Sequence, residues 1–396
     1  MLLDVTITAR GPLAFPERRF GEQFRASLGY VPGGAIYGAL GAQGFDAARF
    51  RALRCHNAYP IFPGCEKEHV PGDPWSRPLP MSALQPKGEE HAPIHDSLVA
   101  RVCWEIQQPA ALIYTPTDDQ GRAWEVVKHA FYTLRDGDEP KTLKIRSAVQ
   151  RVLTRVAIDR RRGTAAQGLL YSPLVLNEVM YRKEQGQDDT SYPATFRGTV
   201  WVPDDYPNPS VTLKDIDALG ARQTSGLGAV SVIATERVAE SVATVRARVE
   251  QLTERFKQQA RVYRDLGGTK WMVRGHVFTV NLLADAILRE QGWLPTQELS
   301  AAALKEQTGI EATLLRAFTG TAVVGGWHAT WRQPKPTALA TTMGSVFVFH
   351  APDGLSERDF AALAQLQTEG IGERRPEGFG QVRICDEFHL LKEPTP

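Results

Sequence analysis

The sequence predicts an α+β protein of two domains, each an antiparallel sheet closed by a glycine-rich loop. Three observations carry that expectation. With 396 residues the chain is too long for one ordinary core and comfortable as two. A loop near the C-terminus, residues 370–382, recurs at 219–230: Gly220, Arg222, Gly226, Gly228 and Val230 superpose without a gap on Gly372, Arg374, Gly378, Gly380 and Val382, with Leu227 or Phe379 before the last glycine. Each half also closes in the same order: strand, helical or irregular connection, glycine loop, strand.

Residues 5–10 alternate as a first strand, and Arg18, Arg19 and Arg25 follow in a loop that runs to Val31, Pro32, Gly33 and Gly34. A helix begins at Ala35 and contains Tyr37. Residues 55–93 are rich in Pro and Gly and read as an irregular ordered insertion. Leu98–Ile106 is a strand by composition. Residues 150–172 read as a hairpin: Arg151–Asp159 alternates at period two, Arg160, Arg161, Arg162 and Gly163 form the turn, and apolar alternation resumes at Gly168. Thr195–Val202 is a further strand. Val238, Val242, Val245, Val249, Leu252 and Phe256 mark one face of a helix that packs between the halves. The second half holds strands at 276–283 and 345–350, a helical stretch at 284–288, a helix at 357–367 and a last strand at 382–384. The expected domains are 1–233, a connecting helix at 234–268, and 269–396; the order of elements suits two ferredoxin-like units.

Composition excludes several classes. Net charge is +1, from 46 Lys and Arg against 45 Asp and Glu, so a polyanion site has to be local. No stretch approaches the apolar length that spans a bilayer, no signal-peptide pattern opens the sequence, and no membrane partner is expected. The expected location is the cytoplasm. Cys55, Cys65, Cys103 and Cys385 are scattered, without CxxC, which fits reduced thiols. Cys55, His56, Cys65, His69, His91 and His95 match no standard zinc spacing, so no metal or other cofactor is expected.

The local sites are the glycine loops, the helix start and the hairpin. Glycines around an arginine make a loop whose amides can lie against phosphates, or a plain tight turn before a strand. Gly33 and Gly34 at a helix start fit an anion or simple chain geometry equally. The arginines at the hairpin tip fit a solvated surface or a phosphate clamp.

Two such units resemble the RAMP superfamily of CRISPR-associated proteins. The blocks that carry the resemblance are residues 31–40, 155–171, Gly325, Gly326 and Trp327 with Pro334, Lys335 and Pro336, residues 344–349, and both glycine loops. Their order is similar to that of the cap subunit of type III-D complexes and covers most of the chain, least so 55–93 and 235–265. The resemblance implies a non-catalytic RNA-binding subunit that holds the repeat-derived 5′ handle of the guide RNA (crRNA). Its implied partners are the large polymerase-like subunit, the RAMP backbone subunits and, through the assembled complex, target RNA. Gly33, Gly34, Tyr37, Arg25 and Lys335 would contact the handle. So would loop residues Gly220, Arg222, Gly226 and Gly228, and Gly370, Gly372, Arg374, Arg375, Gly378 and Gly380. Arg155, Arg160, Arg161 and Arg162 would pin the RNA or wedge it at the next subunit. Tyr37, Trp331 and Phe379 are candidates for base stacking, Phe379 having equal claim to packing under its loop.

Two rivals remain. A metal-independent ribonuclease would use His56, His95 or His129 as general base or acid, and Asp159 beside the arginines reads as their ion-pair partner. A protein scaffold would use the same loops without touching RNA. No catalytic residues are expected.

Overall fold

A computed structural model describes residues 1–16, 27–44, 47–61, 76–89, 92, 94–110, 112–117, 120–127, 130–133, 144–146, 148–182, 190–206, 208–269, 271–328 and 332–391. Two antiparallel sheets organise it, in a mixed α+β arrangement. In the first, Leu2–Ala9 lies between Val230–Arg237 and Thr195–Trp201, whose far edge pairs with Arg54–Cys55 and Tyr59–Ile61. In the second, the order is Thr313–Phe318, Val346–Ala351, His276–Leu282, Val382–Ile384. Numbered along the chain within each half, both sheets read fourth, first, third, second. Each half also places a helix between its first and second strands (Gly33–Ala42, followed by the short Ala47–Ala52; Ala301–Thr308) and one between its third and fourth (Pro209–Lys214; Glu357–Glu369).

The strands form where period two demands it. Leu3, Val5, Ile7 and Ala9 are buried in one cluster with Ile36 and Leu40 of the first helix and Leu213 of the second. The opposite face is polar: Asp4 is held by Arg197 of the neighbouring strand, with 2.7 Å from Nε to Oδ1. In the second sheet Val346–Phe349 is a continuous apolar run, and Val277–Leu282, with Thr279 and Asn281 among its apolar residues, is likewise buried throughout. Serines set the helix starts, as capping chemistry requires. Ser241, Ser300 and Ser356 each accept a backbone N–H, and Asp359 completes a capping box with Ser356.

Two expectations need correction. Leu98–Gln107 is a helix, not a strand. Its buried positions, Leu98, Val99, Val102, Cys103 and Gln107, step by three and four, and Arg101 pairs with Glu105 one turn on at 3.1 Å. Residues 284–288 are not helical: Ala286 exchanges two 2.8 Å backbone hydrogen bonds with Thr341, and Leu288–Glu290 is a strand. The helix Val242–Asp265 presents the expected face: Val245, Val249, Leu252 and Phe256 share a core with Val277 and Phe347 of the second sheet, with Leu363 of the helix Glu357–Glu369, and with Leu98 and Val102 from the first 233 residues.

The hairpin at 155–171 is present, with Arg155–Asp159 paired to Thr164–Tyr171. Of the 55–93 insertion, residues 62–75 lie outside the described residues. The rest forms short strands, including Arg77–Pro78 and Ala83–Pro86, in two three-stranded sheets. Among the described residues no helix is long and apolar enough to cross a membrane.

Candidate nucleic-acid interface

The two glycine loops share one backbone. Gly220, Arg222, Gly226 and Gly228 have φ of +90°, +62°, +78° and +92°; Gly372, Arg374, Gly378 and Gly380 have +73°, +57°, +92° and +69°. In each loop the arginine starts a single 3-10 turn, Gln223–Ser225 or Arg375–Glu377, and the next glycine ends it. Their hydrogen bonds repeat as well. Gly228 N–H donates to Pro12 O at 2.9 Å where Gly380 N–H donates to Asp285 O at 2.8 Å, and Ala221 donates to Ala14 O at 2.8 Å where Glu373 donates to Ile287 O at 3.0 Å. Each loop is thereby strapped to the segment that follows the first strand of its own sheet.

This geometry narrows the expected phosphate cradle. The amides of Gly226, Gly228, Gly378 and Gly380 all donate inside the protein. A Cβ on Gly228 would fall 2.5 Å from Leu219 O, and one on Gly380 only 1.8 Å from Ile371 O. These glycines serve loop closure, and Gly220, Gly370 and Gly372 likewise press on carbonyl oxygens of Ala14, Gly380 and Ile287. What remains for a ligand is the side chains the loops carry.

The first loop carries them outward and joins the hairpin. The Arg155 guanidinium donates to Ser225 O, and Arg222 lies with its guanidinium carbon 4.9 Å from the centre of the Tyr171 ring. At the tip, Asp159 Oδ1 accepts from the amides of Arg161 (2.9 Å) and Arg162 (3.3 Å), and Gly163 closes the turn at φ +67°. Asp159 thus shapes the turn, with Arg162 Nε at 3.8 Å from Oδ2 as a loose ion pair. Arg160, Arg161, Arg162 and Arg222 are all exposed. One carboxylate therefore stands among five guanidinium groups that lie some sixty residues apart in sequence.

The second loop turns inward. Gly378 sits where a Cβ would meet Cys55 O at 2.7 Å, and a Cβ on Gly33 would meet the same oxygen at 1.8 Å. The Gly33 amide donates to Asn57 Oδ1 at 2.8 Å and is thus taken by protein, while Pro32, Gly34 and Ala35 of the same helix start line an open cleft. Tyr37 is likewise engaged on one face, stacked on Phe50 with ring centres 3.9 Å apart. Arg374 donates to Glu377 through Nη2 (2.6 Å) and Nε (3.2 Å) and to Gly325 O (3.1 Å), and Lys335 Nζ is 2.8 Å from Glu377. Burial pushes the Glu377 carboxyl up, but hydrogen bonds from Arg374 and Lys335 outweigh it and hold the group below the usual carboxylate range. Phe379 covers Arg374, with 4.6 Å from guanidinium carbon to ring centre. Arg375 lies near Arg54, whose guanidinium is shifted down by burial and then by Arg375.

Above this loop a cleft of about 580 Å³ opens between the halves. Gly34, Lys335, Arg374, Gly378 and Phe379 line it, together with Tyr30 and Trp327, which the sequence did not single out as site residues. Trp327 is 61% exposed and belonged to the Gly325, Gly326, Trp327 block, a signal that was present. Asn57 and Glu377 had none, since their partners are far away in sequence. Arg25, Trp331, Cys65, His69, His91 and His129 lie outside the described residues.

Of the candidate general bases, His56 and His95 are described, and both are shifted below the ordinary imidazole value. His56 is buried, bonded through Nδ1 to Thr199 Oγ1 at 2.7 Å, and pulled down to about 4 by burial and by Arg237 and Arg54. His95 packs on Trp124, ring centres 4.3 Å apart, and burial lowers it too. The buried Cys55 thiol is pushed up by burial. Among the described residues no three His, Cys, Asp or Glu gather to hold a metal.

Fold and interface together define a duplicated two-sheet protein with a cationic hairpin seated on one of its paired loops. Residues 249–386 match the family described as CRISPR-associated protein (Cas_Cmr3). That match spans about a third of the chain, the part built around the second sheet, which thereby resembles a CRISPR-associated subunit. No curated protein matches the chain. Among solved structures, a chain of a type III-B Cmr-beta complex bound to cognate target RNA and AMPPnP is 10% identical, with 94% of this chain and 91% of that chain covered and a TM-score of 0.43. A chain of the same type of complex bound to cognate target RNA is 11% identical, with 87% and 86% covered and a TM-score of 0.37. A chain of a type IV-B CRISPR complex is 12% identical, with 61% and 93% covered and a TM-score of 0.24.

Proposed function

We propose that this chain is the non-catalytic cap subunit of a type III-D CRISPR surveillance complex, built of two ferredoxin-like domains, 1–233 and 269–396. It holds the repeat-derived 5′ handle of the guide RNA, docks the large polymerase-like subunit and the backbone subunits, and meets target RNA only in the assembled cytoplasmic complex. The observation that carries RNA binding is the joined surface of loop 219–230 and the hairpin: Arg155, Arg160, Arg161, Arg162 and Arg222 against the single carboxylate of Asp159. Guanidinium groups in an exposed cluster contact phosphates and release counterions. The cleft supplies the second half of the reading. Trp327 and Phe379 offer stacking surfaces beside Lys335, and unstacked bases of a single strand bind by that chemistry.

The test changes Arg160, Arg161 and Arg162 together to Ala and titrates a repeat-handle RNA at several salt concentrations. Loss of three phosphate contacts lowers the slope of log K against log salt by about 2. Unchanged affinity and slope would remove the hairpin from the RNA site. Crosslinking within the complex co-expressed with its neighbouring CRISPR genes and array checks the handle itself: short RNAs sharing one repeat-derived 5′ end should be joined to this chain, and crosslinks confined to other subunits would favour a scaffold.

A further inference from the structure

A second, smaller cavity lies on the seam of the halves, between the polar face of the first sheet and the last strand of the second. Its volume is about 100 Å³, well above the roughly 10–15 Å³ that admits one water. Four arginines line it, Arg77, Arg197, Arg237 and Arg383, against two carboxylates, Asp4 and Glu240. The carboxylates are committed. Asp4 faces both Nε and Nη2 of Arg197, and Glu240 accepts from Arg248 (2.9 Å) and Arg383 (3.3 Å).

Arg237 ends the strand Val230–Arg237 and has no hydrogen bond or ion pair of its own among the described residues, although Asp4 is near enough to favour its charge. Burial pulls its guanidinium down to about 10, with Arg197, Arg383 and Arg77 adding repulsion that Asp4 only partly opposes. On the opposite wall, Gln381 Oε1 is buried with no donor facing it. A half-turn of that amide presents Nε2 to the cavity instead. A half-buried fork of donors without an acceptor among the described residues, beside arginines already paired with Asp4, Glu240, Asp386 and Glu387, is an unsatisfied arrangement that an oxyanion completes.

We propose that this seam cavity binds one phosphate-sized oxyanion, held by Arg237 with Gln381 opposite. The inference stands apart from the guide-handle reading: Gln381 belongs to loop 370–382, but neither it nor Arg237 is among the residues assigned to the handle. The ligand chemistry is that of a phosphate group, either free inorganic phosphate or a phosphodiester of bound RNA.

Calorimetry of the full chain with inorganic phosphate, at ionic strength held constant with sodium chloride, reads the site directly. The expected result is one bound phosphate per chain, with affinity at least tenfold weaker in Arg237→Gln. Gln381→Glu places a carboxylate on the opposite wall and should weaken binding as much; circular dichroism verifies that each variant is folded. Repeating the titration on RNA-loaded protein separates the sources: phosphate excluded by RNA marks a phosphodiester in the cavity, and phosphate still bound marks a free-anion site. Phosphate that fails to bind the empty chain, while RNA affinity falls tenfold in Arg237→Gln, also supports a phosphodiester site. No saturable phosphate binding together with RNA affinity unchanged in Arg237→Gln overturns the proposal. Failure of RNA to bind at all would sink the handle reading and leave the phosphate titration intact.

Discussion

Loops 219–230 and 370–382 trace the same dihedral angles and make the same straps to their sheets, yet they do opposite things. The first faces solvent with Arg222 over Tyr171; the second is wedged against Gly33 and Cys55 with Arg374 locked on Glu377. Among the aligned positions that differ, the one that locks the second arginine is Ser225 in the first loop and Glu377 in the second. The shared backbone closes a sheet, and the chemistry belongs to what the neighbours leave uncovered. The arginine repeated in both loops is therefore a free cation in one and a structural strut in the other.

The largest effect that sharpens this comparison is on stability. Gly226 and Gly378 are aligned and both have positive φ, but a Cβ at 226 meets nothing within 4 Å while one at 378 overlaps Cys55 O. Gly226→Ala should destabilise by about 1 kcal/mol, the conformational term alone, and Gly378→Ala by about 3 kcal/mol or more, measured by denaturant unfolding. Equal losses would mean the second loop is not wedged. Next come the arginines. Arg374→Ala strips Glu377 of its main partner and should cost about 1–3 kcal/mol with little change in the salt slope of RNA binding. Arg222→Ala should leave stability within about 0.5 kcal/mol and lower that slope by about 0.7.

Acid offers a third separation. The Glu377 carboxyl sits below its ordinary value of 4.5, so its stabilising effect is fully present above that pH and is lost as pH falls below it. Hydrogen-exchange protection of the amides at 377–380 should fall as pH drops below 4.5, and that of 225–228 should not follow. A parallel loss in both loops would point to a global transition. The smallest expected effect is that of Ser225→Glu, which writes the second loop's acid into the first. Stability should stay within about 0.5 kcal/mol, while affinity for a handle RNA drops a few-fold as Arg222 gains a counter-charge.

Much of the fold was legible because its signals are local. Gly220, Gly226 and Gly228 mark a loop that L side chains tolerate poorly, and the same spacing at 372, 378 and 380 revealed the duplication. The hairpin was legible from alternation around an arginine turn. Leu98–Gln107 was not, because Val99, Val102 and Ile106 favour strands by composition while the Arg101 and Glu105 spacing that marks a helix was given no weight. The site was legible only in outline. That Gly33 is plugged by Asn57, or that Lys335 is spent on Glu377, depends on segments brought together from 24 and about 40 residues away, and no local pattern encodes them. Arg237 went unnoticed for the same reason: its isolation is a property of packing.

Pairing in the first sheet also governs how the protein emerges from the ribosome. Leu2 pairs with Trp201 and with Arg237, and Leu3 with Val200, so the N-terminal strand has no neighbours in its own sheet except at the end of a long intervening stretch. At about 5–20 residues per second, roughly 200 residues take on the order of 10–40 s to synthesise. Through that interval Leu3, Val5 and Ile7, all buried in the finished sheet, sit on a strand with two open edges. The second sheet closes over a span about half as long, from His276 to Ile384. The first half is thus the part of the nascent chain that most needs shielding, by a chaperone or by an early-arriving partner.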